Sequence, residues 1–521
     1  MIRRDWLARL CWTLLPALLL GACASLRPDV PKPPSQALAP DPASPLGWLA
    51  AQVTPAAQPS AFRPLEAGHD ALAARLALAE QARHSLDLQY YIFRDDASGK
   101  LLVQALLAAA DRGVRVRLLL DDMYTAENEA AILALDAHPH IEIRLYNPFR
   151  YRAGGLVRAA EFLNDRERLN RRMHNKLFLA DNQMGITGGR NIGDEYFQLD
   201  EALAFRDLDV LTAGRVVSEL SAAFDAYWNS EPAIPAAALP ASRRRARAEL
   251  DATRAALNAY YAEVGRILAA QLGQDLLGDG AGGWSGGAAD LLLDRPEKTA
   301  DGLAGAAELP ATRLLHTGLD ARRELLIASP YLVPGKLGSD LLQHLHGKGL
   351  KVRILTNSLA ANDVILVHAG YARYRLPMLL AGLELYELKP VKERPHVRLG
   401  AGSSSSRASL HSKALVFDRQ RVYIGSMNLD PRSVLLNTEA GLLIDSPTLA
   451  ERVAGFIEAA MAPEQSYRVR LDPDSPPEDR RLIWLERRGG EERTHRVEPA
   501  TDLWLRALVD VLSALPIEED L

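Results

Sequence analysis

The sequence predicts an α/β protein built from two duplicated halves that share one site, and three observations carry that prediction. Two segments, Met173–Asp181 and Leu410–Asp418, share the pattern His-x-Lys-x-x-x-x-Asp. Each runs on into a small-residue turn and an asparagine, Gly188-Gly189-Arg190-Asn191 and Gly425-Ser426-Met427-Asn428, with the asparagine 17 positions after the histidine in both (191 − 174; 428 − 411). The surrounding elements repeat as well: Gly113-Val114-Arg115-Val116-Arg117-Leu118-Leu119 matches Gly349-Leu350-Lys351-Val352-Arg353-Ile354-Leu355 at an offset of 236 (349 − 113), against 237 for the histidines (411 − 174). Strand and helix patterns alternate in each half, which points to helices flanking a mixed or parallel sheet.

The N-terminus reads as a targeting segment. Arg3 and Arg4 precede an apolar run, Leu10 to Leu20, which is short of the roughly 20 residues a spanning helix needs. Leu20-Gly21-Ala22-Cys23 then resembles a bacterial lipoprotein signal: residues 1–22 are removed and Cys23 becomes the lipidated first residue. An uncleaved anchor helix is the alternative. Cys11 leaves with the signal, so no structural disulfide or cysteine-based metal site is expected. Ala24 stands where an aspartate would, by analogy, favour the inner membrane. The expected address is the cell envelope, facing the periplasm, outer membrane over inner. Residues 23–66 are rich in proline, Pro28 to Pro64, and read as an extended tether.

The first half is expected over 67–230. His69 to Arg83 has helical spacing, Ser85 to Ile92 reads as a strand, Leu101 to Ala110 as a helix, Val114 to Leu120 as a strand, Glu127 to Leu135 as a helix and Ile141 to Leu145 as a strand. Residues 231–310, with Arg243-Arg244-Arg245 and the glycine-rich Gly278 to Gly287, are expected as a connector. The second half, 311–465, repeats the order with a strand at Glu324 to Ala328, a helix at Leu337 to His346 and a strand at Leu383 to Tyr386. An extension over 466–521 adds a strand at Tyr467 to Leu471, a hairpin through Gly489-Gly490 and an amphipathic helix, Leu503 to Leu512, expected to pack on its own domain rather than on a membrane.

The chemistry follows from residue types. Each motif continues as a strand, so His174 and Lys176 point the same way, as do His411 and Lys413. A cationic lysine is a poor neighbour for a bound dication, and neither metal nor other cofactor is expected. Two histidines, two lysines and Asn191 and Asn428 suit a phosphodiester: lysines neutralise its oxygens, amides donate hydrogen bonds, one imidazole attacks and the other protonates the leaving alcohol. Each imidazole needs a carboxylate on its far nitrogen. Glu439, 11 positions after Asn428 (439 − 428), and Asp207, after Asn191, are the candidates, with Asp209 competing. Asp181 and Asp418, at the strand ends, organise the turn rather than touch substrate.

These paired motifs identify the chain, over roughly residues 66 to 465, as resembling the phospholipase D superfamily. Phe205-Arg206-Asp207, Gly189 to Phe197 and the closing Leu515-Pro516-Ile517-Glu518 look like its bacterial cardiolipin synthase branch, in particular the periplasm-facing C-type members. The resemblance implies two α/β/α sandwich domains about a pseudo-twofold with one active site between them. It also implies a phosphatidyl-histidine intermediate, with His174 as nucleophile and His411 as general acid and then base. The expected substrates are phospholipids at a membrane surface, anionic phosphatidylglycerol above all, with phosphatidylglycerol or phosphatidylethanolamine as the phosphatidyl donor. Water as acceptor would make the enzyme a hydrolytic phospholipase D. A nuclease is disfavoured, because 61 Lys and Arg against 66 Asp and Glu leave a net charge of −5. Local basic excess remains: Arg150, Arg152, Arg158, Arg166, Arg168, Arg171 and Arg172 precede the first motif, and Lys389, Lys392, Arg394 and Arg398 the second. A non-enzymatic scaffold with one dead half is disfavoured because neither half lacks its His, Lys or Asn.

Overall fold

A computed structural model describes residues 25–152, 154–199, 205–240, 243–265, 283–301, 309–362, 364–390 and 410–515. Residues 1–22, expected as a signal, and Cys23, Lys392, Arg394 and Arg398, and Pro516 to Glu518 lie outside the described residues.

Short leucine-rich runs separated by helical repeats give three parallel strands in each half. In the first, β2 (Ser85–Tyr90), β3 (Arg115–Asp121) and β4 (Ile141–Tyr146) lie side by side. Next to β2, antiparallel to it, is β5 (Leu177–Ala180), the strand of the first motif, followed by β6 (Met184–Gly188), β7 (Asp209–Gly214) and β1 (Ser60–Leu65). The second half repeats this with β10 (Glu324–Ala328), β11 (Lys351–Asn357) and β12 (Glu384–Leu388) parallel, then β13 (Ala414–Phe417) antiparallel to β10, followed by β14 (Arg421–Gly425) and β15 (Ala440–Asp445). On the far edges β8 (Ala233–Pro235) joins β4, and β16 (Ser466–Leu471) joins β12, carrying β17 (Leu482–Arg488) and β18 (Glu491–His495).

Alternation along the motif strands separates the layers. Phe178 and Ala180 face outward into a core with helices Gly68–Gln81 and Ala97–Asp111, while Leu177 and Leu179 face inward. In the second half Leu415 and Phe417 face outward and Ala414 and Val416 inward. The inner core draws on both halves at once, joining these residues to helices Arg215–Asn229 and Pro447–Met461. Two sandwiches thus meet across one continuous apolar interior.

Three expectations are corrected. The segment expected as a tether packs on the body from Ser25 onward. Pro45 opens the helix Pro45–Val53, where a missing N–H costs nothing, behind Ser44, whose Oγ accepts from Gly47 N at 3.1 Å. Pro64 lies in β1 beyond the reach of β9 (Ser285–Leu293), which pairs only with Ser60 to Phe62, so no ladder bond is lost there. Ahead of the Pro45–Val53 helix, side chains of the body hold the extended backbone: Asp225 accepts from Ala37 N at 2.7 Å and Arg144 donates to the Pro33 carbonyl at 2.7 Å. The connector is likewise more than a link. Its strand β9 pairs with β1 through Ser285 to Gly287 and with β15 through Ala288 to Leu293, joining the two sheets. Finally, the arginines before the first motif are largely consumed internally: the buried Arg172 pairs with the buried Asp121 at 2.5 Å, and Arg152 pairs with Glu129 at 2.6 Å. The C-terminal helix Leu503–Ser513 packs by Leu505 and Val509 on Leu359, Ile365 and Ala369, as expected. Among the described residues no helix is long and apolar enough to cross a membrane.

Candidate active site

The two motifs meet through bridges that cross the halves. Met173 pairs with Thr438 and Leu410 with Arg206, each as an isolated parallel bridge. His174 N donates to the Thr438 carbonyl at 2.9 Å and His411 N to the Arg206 carbonyl at 2.8 Å. One residue beyond each bridge, a histidine therefore faces a carboxylate from the other half. His174 Nδ1 is 2.9 Å from Glu439 Oε2, and His411 Nδ1 is 2.6 Å from Asp207 Oδ2. The carboxylates are those the sequence offered, but the pairing is crossed: the one that follows an asparagine serves the histidine of the opposite half.

Both carboxylates are fully buried. A buried carboxylate accepts only, so each Nδ1 carries the proton and each Nε2 is left as the free, nucleophilic nitrogen. Glu439 is fixed further by Ser426 Oγ, which donates to Oε2, and by its own N–H, which donates to Asp294 Oδ2 at 3.0 Å. Lys298 in turn donates to Asp294 at 2.8 Å. Asp209 plays a different part. It holds Arg75 at 2.8 Å and accepts from Arg190 N at 3.1 Å, away from either imidazole.

Lys176 and Lys413 each donate to the carbonyl of their own motif histidine at 2.5 Å, and Lys413 Nζ lies 3.2 Å from His411 Nε2. The asparagines differ. Asn191 is tied down, its Nδ2 donating to the Tyr196 hydroxyl at 3.0 Å and its Oδ1 accepting from Ile92 N at 3.2 Å, whereas the buried Asn428 Oδ1 has no hydrogen-bond partner among the described residues. Asp181 and Asp418 do not join the cluster. Asp181 accepts from the N–H groups of Arg83, His84 and Ser85, and Asp418 from those of Arg322, Arg323 and Glu324. Both are turn-organising residues, and their place in the signature reflects folding rather than contact with a reacting group.

Aromatic rings wall the site, a feature the motif spacing does not encode. Tyr91 meets His174 edge to face at 5.2 Å, Tyr196 meets His411 likewise at 5.1 Å, and Phe205 stacks on His411 at 5.2 Å. Phe205 and Tyr196 were visible only through family resemblance. Tyr91, at the end of a strand, gave no signal of its own.

Burial is the main influence on ionisation here. It pulls His174 down to about 4, against the opposing pull of Glu439 and with help from Lys176. His411 is pulled down to about 3 by burial and then by Lys413. Lys176 falls to about 7, again through burial, with Lys413 adding to the fall. Asp207 is held well below the usual carboxylate range by His411 and Lys413, against burial, which acts the other way. The site thus combines imidazoles held towards the neutral form with two lysines close enough to repel each other. An anionic phosphodiester would offset that repulsion and favour protonation of the imidazole nearest its leaving group.

Comparison with known proteins agrees with this geometry. The family described as "Cardiolipin synthase, PLD-like domain" matches twice, over residues 76–228 and 315–460. "Cardiolipin synthase C" of Escherichia coli (strain K12) is 43% identical over 462 residues, covering 87% of this chain and 95% of that protein. "Cardiolipin synthase A" of Pseudomonas aeruginosa (strain LESB58) is 26% identical over 437 residues, 83% of this chain and 72% of that protein. Among solved structures, the phosphatidylserine synthase of Haemophilus influenzae Rd KW20 superposes with a TM-score of 0.53 at 15% identity, over 80% of this chain and 88% of that one, a likeness of fold.

Proposed function

This chain belongs to the cardiolipin synthase family with the phospholipase D-like domain and is an enzyme of the phosphatidyltransferase type, and from that premise we propose that it makes cardiolipin from phosphatidylglycerol and a second phospholipid through a phosphatidyl-histidine intermediate. His174 Nε2 attacks the phosphorus and the bond to the headgroup oxygen breaks. His411, protonated once the phosphodiester is bound, gives its Nε2 proton to that oxygen. The Nδ1 proton of the phosphorylated His174 stays against Glu439, whose charge compensates the cationic ring. Neutral His411 then takes the proton from the hydroxyl of an acceptor glycerol headgroup, whose oxygen attacks phosphorus and expels His174. Lys176 and Lys413 neutralise the non-bridging oxygens throughout, and the Asn428 Nδ2 amide is a donor for them.

The observation that carries the reading is the crossed pair of buried carboxylates, which fixes both imidazoles in the tautomer that leaves Nε2 free. Purified protein given phosphatidylglycerol, with and without phosphatidylethanolamine, should yield cardiolipin by mass spectrometry. Phosphatidic acid as the sole product would assign a hydrolase instead. Radiolabelled phosphatidyl donor should leave an alkali-stable, acid-labile label on the protein, absent in His174→Ala. We further propose that Cys23 carries lipid and holds the enzyme at the envelope facing the periplasm, at the outer membrane. Labelled palmitate should enter the wild type and not Cys23→Ala, and membrane fractionation reads the location.

A further inference from the structure

The two halves differ in one place where duplication would make them alike. In the first half, helices Gly68–Gln81 and Ala97–Asp111 pack directly on each other beneath the segment after Asn191, where the backbone of Phe197 closes against Gly68. Their counterparts in the second half, helices Pro310–Asp320 and Gly335–Gly347, stand apart. The space between them is a cleft of about 470 Å³, within the range of ligand sites.

Its walls are apolar. Leu314, Leu341 and Leu345 come from the two helices, Leu415 and Phe417 from the outer face of β13, and Lys336 and Asp430 are the only charged residues among those lining it. One end of the cleft lies beside the site along the chain: Met427 and Leu429, on either side of Asn428, both line it. At the other end large apolar side chains stand in water: Leu337 is 86% exposed, Leu315 39% and Leu435 36%. A folded protein leaves such a patch open when something apolar covers it in use.

We propose that this cleft binds one acyl chain of the phosphatidyl substrate, leading it from the rim at Leu337 to the phosphodiester beside Asn428. The proposal rests on the phosphatidyltransferase reading. It adds that one half of the duplicate closes the contact between these helices while the other leaves it open to hold a chain. Discrimination between acyl lengths then comes from the second half alone. Each methylene held is worth roughly a fourfold change in affinity.

The test compares kcat/KM on mixed micelles of dioleoyl and of dihexanoyl phosphatidylglycerol with that on bis(p-nitrophenyl) phosphate, which has no acyl chain. Leu341→Trp fills the cleft and Leu337→Asp places a charge at its exposed mouth, a position where misfolding is not at issue. Each variant should lower the dioleoyl-to-dihexanoyl ratio at least tenfold while leaving the chainless diester within twofold of wild type. An unchanged ratio in Leu337→Asp together with folded Leu341→Trp would overturn the proposal, as would an equal loss on all three substrates. Wild type that cleaves the chainless diester but no phospholipid of either length would instead overturn the phosphatidyltransferase reading beneath it.

Discussion

Each histidine is set by a carboxylate far away in sequence, 265 residues for His174 and 204 for His411, and the single-residue consequences follow from that. Glu439→Gln and Asp207→Asn each remove the charge that compensates an imidazolium, and each should lower kcat by about 100-fold to 10,000-fold, the range of general acid–base contributions. Ser426→Ala removes a donor to Glu439 together with side-chain bonds to the Ala440 backbone and should cost less, with a changed pH profile rather than a changed KM. His174→Ala and His411→Ala should each abolish turnover, and full activity in either would refute a shared site. Lys176 gives a pH prediction with a definite sign. Its pKa of about 7 means that it loses its proton, and the site its phosphate attraction, as pH rises through 7. On a soluble diester, kcat/KM should therefore fall on the alkaline side of 7, and Lys176→Arg, which stays charged, should remove that limb. An alkaline limb of the same position in Lys176→Arg assigns it to another group. His174 carries a stability consequence of the opposite limb: with its folded pKa depressed to about 4 from 6.5, the unfolded chain takes up the proton first. Stability is then complete above about 6.5 and declines as pH falls towards 4. His174→Gln should flatten that decline in chemical denaturation, measured against wild type at each pH.

At the scale of the element, the motif aspartates and the joining strand do the work. Asp181-Asn182 and Asp418-Arg419 occupy positive φ, 54° and 52° in one and 55° and 55° in the other, in tight turns closed by Gln183 N to the Ala180 carbonyl and Gln420 N to the Phe417 carbonyl. Each aspartate gathers three backbone N–H groups of the chain entering the neighbouring parallel strand, so one residue ties the turn after the motif strand to the start of its neighbour. Asp181→Ala and Asp418→Ala should each lower stability by about 1–3 kcal/mol in thermal or urea unfolding, with kcat of the folded fraction nearly unchanged. A loss of kcat without a loss of stability would return these residues to the reacting centre. Strand β9 pairs with β1 through Ser285 to Gly287 and with β15 through Ala288 to Leu293, so Leu291→Pro, opposite Leu442 in β15, should loosen the junction of the two sheets and lower the cooperativity of unfolding.

At the scale of the whole molecule, neither half holds a complete site. A chain ending near residue 230 keeps His174 without Glu439, and one beginning near 311 keeps His411 without Asp207, so neither should turn over substrate alone. Much of this was legible in the sequence. The offsets of 236 and 237, the period-2 strands and the paired His, Lys and Asn determine a duplicated α/β fold with one phosphodiester site, because local patterning and residue chemistry need only neighbours to act. The tertiary structure alone decided which carboxylate serves which imidazole, since pairing runs through bridges between Met173 and Thr438 and between Arg206 and Leu410 that no local pattern encodes. It alone turned the proline-rich segment and the connector into packed strands, because an extended chain gains its stability from partners distant in sequence. It alone opened the cleft in one half, where the separation of two helices depends on what packs between them and not on the sequence of either.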